Sequence, residues 1–210
     1  QGPLSRFYLK KLYPNIEKLK YYETLLPDND EVIVARTGYS GELGFEIYAP
    51  NKIILKLWNE ILSLSDDILP VGLGCRDSLR LEMGYCLYGN ELNEQTTTIE
   101  AGLSWITKHE TSFIGSNAMQ NNLPSKKLIA LISEERAIPR SGYKLFSKDK
   151  KEAGVVTSGG MSPCLKKGIA LAYVDYEMRL EKEFLIRIRD NFFNFEKTKL
   201  PFYKNGTYLK

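Results

Sequence analysis

The stretch that decides the fold is KKLIALIS (126–133), GYKLFSK (142–148), AGVVTSGG (153–160), KGIALAYVD (167–175), EFLIRIRD (183–190) and NFEKTKL (194–200). These are short segments, mostly alternating apolar with polar residues and separated by Gly, Pro or charged turns, which is the signature of successive strands in an all-β unit. In EFLIRIRD, Phe184, Ile186 and Ile188 face one way while Arg187 and Arg189 face the other, as in a half-buried strand. A small β-barrel or sandwich is expected.

Upstream the periodicity changes. The cluster NNLPS (121–125) is rich in turn formers and marks the expected boundary, giving units 1–122 and 123–210. Before it, residues 4–13 place Leu4, Phe7, Tyr8 and Leu12 near helical spacing, with Pro14 as the stop. EVIVART (31–37) and GFEIYAP (44–50) flank the Gly-rich GYSGELG and read as a hairpin. Residues 52–64 read as a helix with Asn51 as N-cap and Ile54, Leu57, Trp58, Ile61 and Leu62 on its core face. A second helix is expected over 75–84, closed by Gly84. Helices alternating with strand pairs give an α+β unit followed by the β-barrel.

Composition narrows the function. The 210 residues are 43% hydrophobic and 26% charged, enough for a sizeable core. No run approaches the roughly 20 apolar residues that span a bilayer, and QGPLSRFYLKKLY lacks a signal peptide's apolar region. The net charge of +3 is spread along the chain, so neither nucleic acid nor membrane is an expected partner. Cys75, Cys86 and Cys164 are odd in number and lack CxxC spacing, which argues for a reducing compartment and against a zinc site. His109 is the single histidine and has no Cys or second His nearby to build a catalytic pair.

Three segments carry more Gly, Tyr and paired charge than a scaffold requires: RTGYSGELGFEIYAP (36–50), GLGCRDSLRLEMGYCLYGNEL (72–92) and TSGGMSPCLKKGIALAYV (157–174). In the first, Glu46 points away from Phe45 and Ile47, either as a solvated carboxylate or as one aimed into a cleft. No Lys-Ser/Thr pair follows the glycines, so a phosphate loop is excluded. In the second, Arg76 and Arg80 share a helical face with Asp77 beside Arg76; they form surface ion pairs or a forked donor site flanked by Tyr85 and Tyr88. In the third, Lys166 and Lys167 follow Pro163, as a solvated turn or as a rim that touches a ligand or partner.

Together and in this order, from QGP through FIGSNAMQ (113–120) to KLPFYK (199–204), these segments resemble the T-protein of the glycine cleavage system, an aminomethyltransferase. The resemblance implies transfer of the aminomethyl carbon from lipoylated H-protein to tetrahydrofolate, giving 5,10-methylenetetrahydrofolate and ammonia, with no metal. It further implies that Glu46 and Arg76 contact folate, with Tyr39, Asp77 and Tyr85 as neighbours and Tyr208 as a further contact. A pterin's N–H donors suit a carboxylate, its acceptors suit a guanidinium, and its flat ring suits tyrosine faces.

The family's acidic residue near the reacting folate nitrogens lies upstream of QGP, so no catalytic residue maps onto this chain. The chain is read as the C-terminal part of such a protein, and weak folate binding is expected of it alone. The compartment implied is bacterial cytoplasm, or mitochondrial matrix in a eukaryote. The alternatives are another folate-dependent methyl or one-carbon transferase of the superfamily and a non-catalytic folate-binding protein. An iron–sulfur-assembly relative with a KGCYxGQE motif is disfavoured, because the region here reads GLGCRDSLRLEMG.

Overall fold

The computed structural model describes residues 1–27, 31–108, 110–121 and 123–209. It contains a short helix α1 (Ser5–Leu9), a three-stranded antiparallel sheet of β1 (Thr24–Leu25), β2 (Ile33–Ala35) and β3 (Glu46–Tyr48), and helices α2 (Asn51–Leu62), α3 (Leu73–Met83) and α4 (Ser116–Asn121). Six further strands follow: β4 (Lys126–Ser133), β5 (Lys144–Phe146), β6 (Glu152–Met161), β7 (Gly168–Asp175), β8 (Glu183–Ile188) and β9 (Asn191–Thr198). By internal packing the chain forms two units, Gln1–Arg80 with Lys204–Lys210, and Leu81–Tyr203.

In the first unit, β2 and β3 pair as the expected hairpin, with Ile33 opposite Tyr48, Val34 opposite Ile47 and Ala35 opposite Glu46. This register puts Val34, Phe45 and Ile47 on the face that packs with Leu9, Ile16 and Leu57, and leaves Glu46 on the other. Two details depart from the sequence reading. Asn51 begins α2 rather than capping it, because Pro50 occupies the N-cap position, and the core face runs through Ile53, Leu57 and Ile61 while Trp58 is exposed. The helix expected over 4–13 ends at Leu9, and Pro14 opens a separate 3-10 turn over Pro14–Lys18.

In the second unit, β4-β7-β6-β5-β8-β9 closes into an antiparallel barrel when β9 returns to pair with β4. Closure removes the sheet edges. Leu131, Leu145, Ala153, Val156, Ala172, Phe184, Ile186 and Phe195 fill its interior. Strand β7 is buried on both faces, Ala170, Ala172 and Val174 toward the barrel core and Ile169 and Leu171 toward Leu81, Ala130 and Phe202. That is why GIALAYV reads as a nearly continuous apolar run and not an alternating one.

Three buried carboxylates fasten residues 81–103 to this barrel. Glu82 Oε1 accepts from the Ser162 hydroxyl and from the Cys164 N–H at 2.9 Å. Glu91 Oε1 accepts from Ser158 Oγ at 2.6 Å, and its carbonyl from the Tyr173 hydroxyl at 2.7 Å. Glu100 takes Ser125 N and Oγ, both at 3.0 Å, and Thr97 N and Oγ1, both at 3.1 Å.

For Glu100, burial alone pushes the pKa up, but the donors from Thr97 and Ser125 outweigh it and hold the value below the ordinary 4.5. A depressed folded-state pKa contributes stability that is full above the unfolded value and is lost as the pH falls through the folded one. Glu100→Gln is therefore expected to cost stability near neutral pH and progressively less as the pH falls below about 4.5 and on through the lower folded-state pKa, where the wild-type carboxylate itself becomes protonated. Thermal unfolding of both proteins between about pH 7 and pH 3 checks this. A difference that stays constant across that range contradicts it.

Candidate functional site

The first unit builds its candidate site on the loop between β2 and β3. The Gln1 side chain threads this loop, donating from Nε2 to Thr37 O at 3.3 Å and Phe45 O at 3.0 Å and accepting from Ser40 Oγ at 3.0 Å. A Cβ at Gly38 or Gly44 would lie 2.1 Å from Gln1 Oε1, so a side chain at either would push the Gln1 amide out of this position. Gly41 has φ +74°, which supplies the turn. Ser5 Oγ and Gly2 N both donate to Leu43 O at 2.8 Å, so QGPLS and GYSGELG form one hydrogen-bonded body.

Glu46 leaves this body on β3, half-buried, and its Oε2 accepts from Thr37 Oγ1 at 2.5 Å and Tyr48 Oη at 3.4 Å. The charge of Glu46, with smaller effects of burial and of the hydrogen bond, pushes the Tyr48 phenol above its ordinary pKa. The carboxylate is thus held by hydroxyl donors and is not merely solvated. Arg76, exposed on α3, lies over the Tyr39 ring, its guanidinium carbon 4.9 Å from the ring centroid. This cation–π contact places a forked donor beside the Gly-rich loop.

Asp77 does not pair with its neighbour Arg76. It binds Arg80 instead, with Arg80 Nε at 2.9 Å and Nη2 at 2.7 Å from one carboxylate oxygen. The i,i+3 spacing puts these two on one helical face, and Arg80 is only 1% exposed, so its charge draws the carboxylate. Tyr208 packs edge-on against Tyr21, ring centroids 5.6 Å apart, and its carbonyl accepts from Arg36 Nη2 at 2.8 Å. Tyr85 belongs to the second unit, half-buried just after the Gly84 turn (φ +71°) that ends α3. The structure therefore brings Tyr39 to Arg76 and Tyr48 to Glu46, and turns Asp77 toward Arg80.

In the second unit, the loop Ser162–Lys167 is tied down: Leu165 N donates to Ser162 Oγ at 3.0 Å and Lys167 pairs with Glu134, while Lys166 is exposed. His109 lies outside the described residues, as does Asn122 at the expected unit boundary. None of the three cysteines forms a disulfide. Among the described residues no three of His, Cys, Asp and Glu gather as a metal site, and no helix is long and apolar enough to cross a membrane.

Sequence reasoning missed Gln1, Thr37, Glu42 and Arg36. Their roles depend on contacts up to 172 residues apart along the chain, which no local pattern announces. A separate cleft of about 610 Å³ in the first unit is lined by Leu4, Tyr8, Phe45, Ile47, Leu69 and Cys75 among others, and none of Tyr39, Glu46, Arg76, Asp77 and Tyr208 lines it.

Comparison with known proteins matches residues 1–111 to the GCVT N-terminal domain and residues 126–204 to the glycine cleavage T-protein C-terminal barrel domain. An aminomethyltransferase of Halothermothrix orenii is 42% identical over 214 residues, covering 96% of this chain and 59% of that protein. One of Aquifex aeolicus is 43% identical over 213 residues, covering 100% and 59%. The crystal structure of glycine cleavage system aminomethyltransferase T from Bartonella henselae superposes with a TM-score of 0.84 at 32% identity, covering 92% of this chain and 55% of that one. The chain thus spans somewhat over half the length of the proteins it matches.

Proposed function

The chain belongs to the glycine cleavage T-protein family, and on that premise we propose that its natural protein is an aminomethyltransferase, passing the aminomethyl carbon of lipoylated H-protein to tetrahydrofolate. The observation that carries this reading is Glu46, a carboxylate of the matched domain that Thr37 and Tyr48 hold by their hydroxyls on β3. In that position it accepts from the exocyclic amine and ring N–H of a pterin, a pair of donors whose spacing suits a carboxylate. Arg76, held over the Tyr39 ring, donates to the folate's acceptors and carboxylates. Asp77 supports this indirectly by engaging Arg80 on the same helix, and Tyr208 adds an aromatic face.

The chemical contribution of these residues is binding and orientation. Fixing the folate nucleophile against a carbon that becomes iminium-like replaces a bimolecular encounter by a positioned one. A carboxylate near the developing cation favours it. In this reading residues 1–122 are part of the folate-binding domain and 123–210 the barrel domain. The odd number and wide spacing of Cys75, Cys86 and Cys164 suit a reducing compartment such as the bacterial cytoplasm or the mitochondrial matrix.

The test is turnover by the natural full-length protein with aminomethylated H-protein and tetrahydrofolate. Formation of 5,10-methylenetetrahydrofolate with release of ammonia is expected. Absence of product, with tetrahydrofolate still bound, would move the protein to another one-carbon transferase or to a non-catalytic folate binder.

A further inference from the structure

We propose that Arg36 is a positioning residue for the folate site, a buried fork that fixes the C-terminal tail and the Gly-rich loop against each other and so sets where Tyr208 stands relative to Glu46. The proposal rests on the reading of Glu46 and Tyr208 as folate contacts.

Arg36 follows β2 directly and is 1% exposed. Its guanidinium lies near the Tyr21 and Phe45 rings, 5.7 and 5.5 Å from their centroids. From there it donates in two directions. Nη1 reaches Gly44 O at 3.3 Å, two residues before Glu46, and Nη2 reaches Tyr208 O at 2.8 Å. One rigid planar group therefore joins the loop that leads to Glu46 and the segment that carries Tyr208, both within the first unit. A buried cation is costly to place in a core, and filling this space with an apolar side chain would leave both carbonyls without these donors.

The tail carries a matching set of bonds. Thr207 donates from N at 3.2 Å and from its hydroxyl to Glu42 Oε2, and Thr207 Oγ1 accepts from Leu43 N at 2.9 Å. Tyr208 N donates to Gly41 O at 3.3 Å. With its N–H on Gly41 and its C=O on Arg36, the Tyr208 backbone is held on both sides of its Cα, which aims the ring. Gly206 fits against the same loop, where a Cβ would come 2.3 Å from Gly41 O. Residues 206–208 are thus tied to the Gly-rich loop on several sides.

Arg36→Met, Arg36→Lys and Gly206→Ala in the natural full-length protein test this. The Gly206 variant disturbs the seating of the tail while keeping the buried arginine. Amide exchange of residues 204–209 should accelerate at least about tenfold in Arg36→Met and Gly206→Ala, with exchange in the barrel strands unchanged. The KM for tetrahydrofolate should rise about tenfold while kcat stays within about threefold, a split that general destabilisation would not produce. Arg36→Lys should fall between, since an ammonium keeps the charge without the fork.

A tail that stays protected in both Arg36→Met and Gly206→Ala overturns the anchoring. A tail that loosens while KM is unchanged overturns the positioning role. Should Glu46→Ala and Arg76→Ala also leave folate affinity unchanged, the fault lies in the folate reading itself, and the exchange data still judge the anchor.

Discussion

In the natural full-length protein, Glu46→Ala and Arg76→Ala should each weaken tetrahydrofolate binding by about 2 kcal/mol, roughly thirtyfold in Kd. Both remove an ionised partner of a hydrogen-bonded ligand, the class of loss that exceeds that of a neutral bond. The two effects should differ in character. Removing Glu46 leaves the Thr37 and Tyr48 hydroxyls without the oxygen they share, and the Tyr48 phenol, relieved of the adjacent charge, should titrate lower than in the wild type. Removing Arg76 frees the Tyr39 ring from its cation, and Arg76→Lys should recover only part of the affinity because an ammonium cannot reproduce the fork. In the double variant the losses should fall short of additivity if, as proposed, both groups grip one ligand. Isothermal titration calorimetry decides it. Unchanged affinity in both single variants would return Glu46 to a sheet-surface carboxylate and Arg76 to a surface cation.

The largest expected effect on stability lies in the barrel. Phe184 on β8 and Phe195 on β9 are directly opposite in register, and both are fully buried among Leu131, Leu145 and Ile186. Phe195→Ala should destabilise the barrel by about 3–5 kcal/mol, the transfer free energy of the ring together with the cavity it leaves. That is a large share of the roughly 5–15 kcal/mol by which a domain of this kind is stable. Because the rings are cross-strand neighbours, the Phe184→Ala, Phe195→Ala pair should show coupling. Urea unfolding followed by far-ultraviolet circular dichroism measures it. A loss under about 1 kcal/mol would mean that the barrel wall collapses into the vacated space and that packing at this layer is not decisive.

The barrel was legible in the sequence because each strand announces itself. KKLIALIS is β4 residue for residue, and Phe184 and Ile186 face inward as the alternation requires. The hairpin around GYSGELG and the Gly84 stop were equally local signals. The misses were of another kind. Trp58 sits at helical spacing with Ile54, Leu57 and Ile61, yet the helix rotates so that Ile53 takes the core and Trp58 the surface, a choice made by what packs there and not by periodicity. Asp77 was adjacent to Arg76 in sequence, but successive helical residues point about 100° apart, and the buried Arg80 three residues on was the better partner. Glu46 and Arg76 stand out as candidates from their segments alone, whereas the Gln1 thread and the Arg36 fork do not, because each joins residues far apart in the chain.

The first unit is assembled from Gln1–Arg80 and Lys204–Lys210, with the barrel sequence between them. This imposes an order on biosynthesis. At about 5–20 residues per second, an emerging chain waits roughly 6–25 s between finishing the first of those segments and supplying the second. During that interval every strand of the barrel becomes available, while Arg36 still lacks the Tyr208 carbonyl and Leu43 N–H the Thr207 hydroxyl. All six barrel strands are therefore synthesised before the first unit receives its second segment, and the first unit is completed last.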